Sequence, residues 1–167
     1  MKNIKLFLAV LTLVFAVSFN VSAQTLTSLD GEKVNLQNQT GKVVVLAIGA
    51  SWLPLSKDQA EFTNKIAKKF AGRDVVVYFV ATDSTSEKSK NFASADEINA
   101  FVTRAKLTVP VLRDSDGAAT LKKYGVDQIP SFVILGKDGK PATEPFGGID
   151  PKSDISVPIS QAIEKLL

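Results

Sequence analysis

Two unbroken runs of mostly β-branched apolar residues constrain the fold of this chain more than any other feature. The first is Val43-Val44-Val45-Leu46-Ala47-Ile48 and the second is Val75-Val76-Val77-Tyr78-Phe79-Val80. Neither run alternates with polar residues, so each reads as a strand buried on both faces. Between them, Phe62, Ile66 and Phe70 recur at four-residue spacing with Ala67 beside them, the stripe of a helix with one inward face. That helix is expected from about Ser56 to Ala71, with Gly72 at its C-terminal cap. Two buried strands joined through a helix imply a right-handed parallel crossover. The sheet they found should carry helices on both faces.

The rest of the chain extends this plan. Gly31-Glu32 is a turn before a short strand from Lys33 to Leu36. Thr82 to Asn91 reads as a polar loop in which Asp83 and Glu87 have no clear partner. Ser94-Ala95-Asp96-Glu97 has the form of a capping box and opens a helix to about Ala105, with Ile98, Phe101 and Val102 inward. Val109 to Leu112 is a short strand, and Asp114-Ser115-Asp116-Gly117 leads into a short helix ending near Tyr124. Ser131 to Leu135 is another strand, followed by the Asp-Gly turn Lys137-Asp138-Gly139-Lys140. A strand up to about Phe146 should pair antiparallel with it. A last helix is expected from about Pro158 to Leu167, with Ile159 and Ile163 on its apolar stripe.

The N-terminus reads differently. Lys2 and Lys5 precede an apolar run from Leu6 to Val17, and Val21-Ser22-Ala23 offers small residues for cleavage. This is the layout of a secretory signal peptide over residues 1–23, which leaves one domain over 24–167. The run is short for a membrane span, and no integral membrane segment is expected after cleavage. Setting Lys2 and Lys5 aside leaves 18 basic and 17 acidic residues. No basic block stands out in the remainder, so a nucleic-acid partner is not expected.

Two absences decide the chemistry. The chain has no cysteine and no histidine. Thiolate nucleophiles, imidazole acid–base catalysis and the usual zinc or copper sites are therefore closed to it. No metal and no cofactor are expected. A disulfide cannot hold the exported protein together, so its apolar core must.

Several strings resemble the thioredoxin superfamily, and within it the TlpA-like or redoxin branch of exported proteins. They are Leu29-Asp30-Gly31 ahead of Gly41-Lys42-Val43-Val44-Val45-Leu46, then Ala50-Ser51-Trp52-Leu53-Pro54-Leu55-Ser56. Asp114-Ser115-Asp116-Gly117, Tyr124-Gly125-Val126, Ile129-Pro130-Ser131-Phe132 and Lys137-Asp138-Gly139-Lys140 follow in family order. The resemblance implies a three-layer α/β/α sandwich: a mixed central sheet with a C-terminal antiparallel hairpin and helix. The family places Trp-Cys-x-x-Cys at the start of the first long helix. Here Trp52 stands, but Leu53 and Ser56 hold the cysteine positions. Leucine has no nucleophile, and serine can neither form a disulfide nor ionise at ordinary pH. The family's buried polar residue beneath the site corresponds to Ala47, so its proton route is also missing.

The resemblance further implies that the Ile129-Pro130 bond is cis, opposite the 52–56 turn, where relatives pair with an extended peptide. Trp52, Leu53, Pro54, Leu55 and Ser56, with Ile129, Pro130 and Ser131, should then share one surface. Ser56 is read as the N-cap of its helix. No catalytic residue is assigned. The expected function is a redox-inactive module, periplasmic or extracellular, that holds an extended peptide or an envelope protein, in a chaperone-like or scaffolding role. The alternatives are a thiol-disulfide oxidoreductase label carried by ancestry alone, a structural subunit of an envelope assembly, or an enzyme whose chemistry needs no cysteine.

Overall fold

A computed structural model describes residues 25–167. The expected signal peptide lies outside the described residues. The elements are β1 (Thr25–Ser28), β2 (Lys33–Asn35), a 3-10 turn (Leu36–Gln39), β3 (Val43–Gly49), α1 (Ser56–Lys69) and β4 (Val75–Ala81). They continue with α2 (Ala95–Arg104), β5 (Val111–Arg113), α3 (Ala118–Tyr124), β6 (Ser131–Leu135), β7 (Phe146–Gly147) and α4 (Ser156–Glu164). The strands form one mixed sheet in the order β2-β1-β5-β4-β3-β6-β7.

The two apolar runs lie side by side at its centre. β3 and β4 pair in parallel along their whole length, from Val43 opposite Val75 to Gly49 opposite Ala81. Every residue of β3 is buried, as its composition requires, whereas Val75 and Val76 at the start of β4 are only half-buried. Alternate residues of β3 feed two cores. Val43, Val45 and Ala47 join Phe62, Ile66, Ile98, Phe101, Ile159 and Ile163, so α1, α2 and α4 cover one face. Val44, Leu46 and Ile48 join Leu26, Leu36, Tyr124 and Val126, so α3 and the 3-10 turn cover the other. The three layers are those expected.

Local chemistry explains most boundaries. Ser94 caps α2 with the reciprocal Glu97 bonds of a full capping box, which satisfies two otherwise free backbone donors. Asp114 receives the N–H groups of Asp116, Gly117 and Thr120 and the Thr120 hydroxyl, and so closes the turn into α3. The Asp138-Gly139 turn returns the chain so that Ala142 N–H bonds Ile134 O and Gly147 pairs with Ser131.

Some expectations need correction. β1 was not foreseen; only Leu26 of its four residues is fully buried, too little apolar pattern to read as a strand. Leu36 starts the 3-10 turn instead of ending β2, because the Asn35 side chain accepts Gln37 N–H and turns the chain. α1 stops at Lys69, before the expected Ala71, and Gly72 (φ 78°) lies beyond the cap rather than at it. β5 begins at Val111, not Val109. α4 starts at Ser156, whose N–H bonds the Asp154 carboxylate, and Lys165 already caps its end.

Candidate functional site

The parallel strands β3 and β4 end together, at Gly49 and Ala81, and the chain leaves each into a loop at that edge. The loop after β3 holds the residues that the sequence singled out. It is compact: Leu53 N–H bonds Ala50 O at 3.2 Å and Ser56 N–H bonds Leu53 O at 3.1 Å. Trp52 is 53% exposed and Pro54 is exposed, while Leu53 and Leu55 are half-buried. None of the four belongs to either core, so the loop presents apolar surface outward.

Ser56 departs from its expected role. Leu55, not Ser56, is the N-cap of α1, and it makes no side-chain cap bond. Ser56 is the first helical residue, fully buried, and its Oγ donates to Ala50 O at 2.6 Å. It closes the loop onto itself rather than satisfying a helix N–H.

Asp83 is the second correction. Expected in a polar loop without a partner, it is completely buried. Its carboxylate accepts Ser51 N–H at 3.0 and 3.1 Å and Ser51 Oγ–H at 2.6 Å. Thr82 adds bonds from its N–H and its hydroxyl to Gly49 O. The two loops are thus tied immediately before Trp52. A lone Asp in a Ser- and Lys-rich stretch gives no sequence signal for this, because its partner lies 32 residues away.

The Ile129–Pro130 bond is cis, as the resemblance implied. β6 begins directly after it and runs antiparallel to β3, with Ser131 opposite Ile48. This register sets residues 129–131 beside the end of β3, where the 50–56 loop begins. Pro130 and Ser131 are buried, and Ile129 is half-buried and packs against the second core.

Gln59 was missed by the sequence reading. It lies on the inner face of α1, fully buried. Its Nε2 donates to Ile48 O at 3.1 Å and to Ser131 O at 2.9 Å. One side chain therefore links the head of α1, the end of β3 and the start of β6. Its Oε1 is buried without a partner, as is the Ser131 hydroxyl. Gly49 leaves room for it, since a Cβ there would collide with Oε1. The signal in the sequence was faint: a Gln two turns before Ile66, on a helix that also buries the polar Ser56 and Thr63.

Beneath this network the lining is apolar. Ala47 is buried with Phe79 and Phe132 as cross-strand neighbours, both fully buried. Nothing there relays a proton. Among the described residues, no group of three or more acidic, histidine or cysteine side chains is placed to hold a metal.

The comparisons with known proteins fit this geometry. The AhpC/TSA family matches residues 16–141. The thiol-disulfide oxidoreductase ResA of Bacillus thuringiensis subsp. konkukian is 29% identical over 114 residues, 68% of this chain and 60% of that protein. The thioredoxin-like protein YneN of Bacillus subtilis is 30% identical over 115 residues, 69% of this chain and 62% of that protein. The chain thus spans about 60% of the length of the curated relatives it matches. Among solved structures, one assigned as the thiol:disulfide interchange protein DsbE of Chlorobium tepidum superposes with a TM-score of 0.70 at 23% identity, covering 86% of this chain and 92% of that one. The exposed lipoprotein thioredoxin Etrx1 of Streptococcus pneumoniae superposes at 0.66 with 28% identity, covering 87% of this chain and all of that one. By sequence and by fold the chain belongs to the AhpC/TSA family, as a thioredoxin-like member that contains no cysteine.

Proposed function

We propose that this protein is an exported, redox-inactive binding module, and that its mature form starts near residue 24. It holds an extended peptide, or an extended segment of an envelope protein, on the surface presented by Trp52 to Leu55 and Ile129, which the buried Ser56, Pro130 and Ser131 support from beneath. The observation that carries this reading is the state of Trp52. A tryptophan 53% exposed at the head of α1, contiguous with Leu53, Pro54 and Leu55 outside both cores, makes an apolar patch of the kind that marks a contact site. Ile129, which precedes β6 and lies outside its ladder pairs with β3 and β7, offers backbone with which an extended peptide can align. Thiol exchange is not part of the function, because the electron transfer of the relatives named as oxidoreductases needs two thiols and this chain has none.

The test uses Trp52, the only tryptophan of the chain. Extended apolar peptides and reduced, unfolded proteins should shift its emission to the blue and saturate. A flat response across a broad panel of such ligands refutes the reading. Insulin reduction by dithiothreitol should proceed at its background rate in the presence of the protein. A rate clearly above background would refute redox inactivity.

A further inference from the structure

A cavity lies away from Trp52, where β1 and β5 run past the start of α2. It holds about 610 Å³ and is lined by Thr25, Thr27, Thr85, Arg113, Asp114 and Ser115 among others. Arg113 ends β5, which lies parallel to β4, so the cavity opens at the carboxyl ends of parallel strands. Ligands of open α/β sheets bind at that edge.

Arg113 is the unusual group. It is half-buried, and its Nη2 donates to three backbone carbonyls, of Ala93 at 2.8 Å, Ser84 at 3.3 Å and Asp83 at 3.4 Å. Its Nε is buried without a partner. Its Nη1 makes no hydrogen bond among the described residues, and Arg113 takes part in none of their ion pairs. The nearby carboxylates are spoken for: Asp83 by Ser51, and Asp114 by the first turn of α3. A guanidinium drawn partly out of water, with neutral oxygens as its only partners, retains a strong preference for an anion. The lining matches. Thr27 is the cross-strand neighbour of Arg113, and Thr25 lies on the same face of β1. The hydroxyls of Thr25, Thr27 and Ser115 bond no other group among the described residues.

We propose that this cavity is a second ligand site, which binds the oxyanion of a small molecule, a carboxylate or a phosphoryl group, through Arg113 Nη1 and the hydroxyls of Thr25, Thr27 and Ser115. The site is independent of the peptide-binding surface. The ¹⁵N-labelled protein is titrated with inorganic phosphate and, separately, with succinate, each balanced by chloride at constant ionic strength. Saturable amide shifts are expected at residues 25–28, 85 and 113–115. Saturation by phosphate alone assigns a phosphoryl group, by succinate alone a carboxylate, and by both a general oxyanion site. Arg113→Gln should weaken binding at least about tenfold, the loss of one charged hydrogen bond. Thr27→Val combined with Ser115→Ala removes only exposed hydroxyls, should leave the fold intact, and should weaken binding measurably. The proposal is overturned if neither anion saturates, if the shifts centre elsewhere, or if folded Arg113→Gln binds like the wild type. Should Arg113→Gln not fold, unchanged affinity in the Thr27→Val, Ser115→Ala double variant overturns it instead.

Discussion

Replacing Gln59 by glutamate tests the link between α1, β3 and β6 with a change of one atom. In the wild type, two N–H bonds from Nε2 serve the carbonyls of Ile48 and Ser131 at 3.1 and 2.9 Å, in a fully buried position. A protonated carboxyl has one O–H, so it can satisfy only one of these carbonyls. The other keeps its ladder bond to the neighbouring strand but loses the second one, at a cost of about 0.5–1.5 kcal/mol. Ionisation makes matters worse, since a carboxylate would then face two carbonyl oxygens with no donor between them. The introduced group is therefore held neutral in the folded state, with a pKa raised above the ordinary glutamate value of about 4.3. The sign follows from linkage: a carboxyl raised in the folded state leaves the fold with more bound protons, so stability declines as pH climbs from about 4.3 toward the folded value. Each unit of that rise removes about 1.4 kcal/mol more at neutral pH. With a rise of about 2 units, reasonable for a buried carboxyl, Q59E should cost about 0.5–1.5 kcal/mol at pH 4 and about 3 kcal/mol more at pH 7. Urea denaturation of wild type and Q59E at pH 4, 5.5 and 7 measures this. Gln59→Leu, which introduces no titrating group, should show a gap that does not widen with pH. A Q59E gap below about 0.5 kcal/mol, or one equal at all three pH values, would refute the assignment of Gln59 as the buried tie.

Three further outcomes follow from the same packing and pairing. Gly49→Ala should destabilise by about 1–3 kcal/mol, because the new methyl meets Gln59 Oε1 and the Phe79 ring edge; thermal melting that leaves Tm unchanged contradicts that packing. The Arg73 guanidinium grips Glu164 with two bonds of 2.8 and 2.9 Å and holds its carboxyl below the ordinary range. A lowered folded value means the contribution is present at neutral pH and lost on acidification, so the stability gap between wild type and Glu164→Gln should close as pH falls below the ordinary glutamate value. It should also shrink in high salt, and a gap that persists in acid would contradict the ion pair. Burial pushes the Tyr124 phenol up to about 12. Its raised value means the fold loses stability as pH rises above about 10, where the unfolded chain gives up that proton first. Tyr124→Phe should flatten this alkaline decline, and an unchanged slope in denaturation above pH 10 contradicts the burial.

The layers were legible in the sequence because β3, β4 and α1 carry unmistakable periodicities. A seven-residue strand buried on both faces writes itself as an apolar run, and a helix with one inward face writes itself as Phe62, Ile66 and Phe70. The capping box at Ser94 was legible for a similar reason: both partners lie within one turn. The site was legible only in outline. Trp52 and Pro130 could be placed by resemblance, but the bonds that fix them are long-range. Asp83 meets Ser51 across 32 residues, and Gln59 meets Ser131 across 72. No local pattern records such pairings. β1 escaped notice because one buried leucine in four residues cannot be told from a loop.

The buried hydroxyl of Ser56 also orders the mutational steps by which such a chain could regain sulfur chemistry. Leu53 is half-buried and outside both cores, so cysteine is tolerated there at little cost. At position 56 a thiol would replace a 2.6 Å O–H bond to Ala50 O by a longer, weaker S–H donor inside a sealed pocket. A single Leu53→Cys change would therefore give a monothiol, able to trap a partner's disulfide as a mixed disulfide but with no second thiol in the chain to release it.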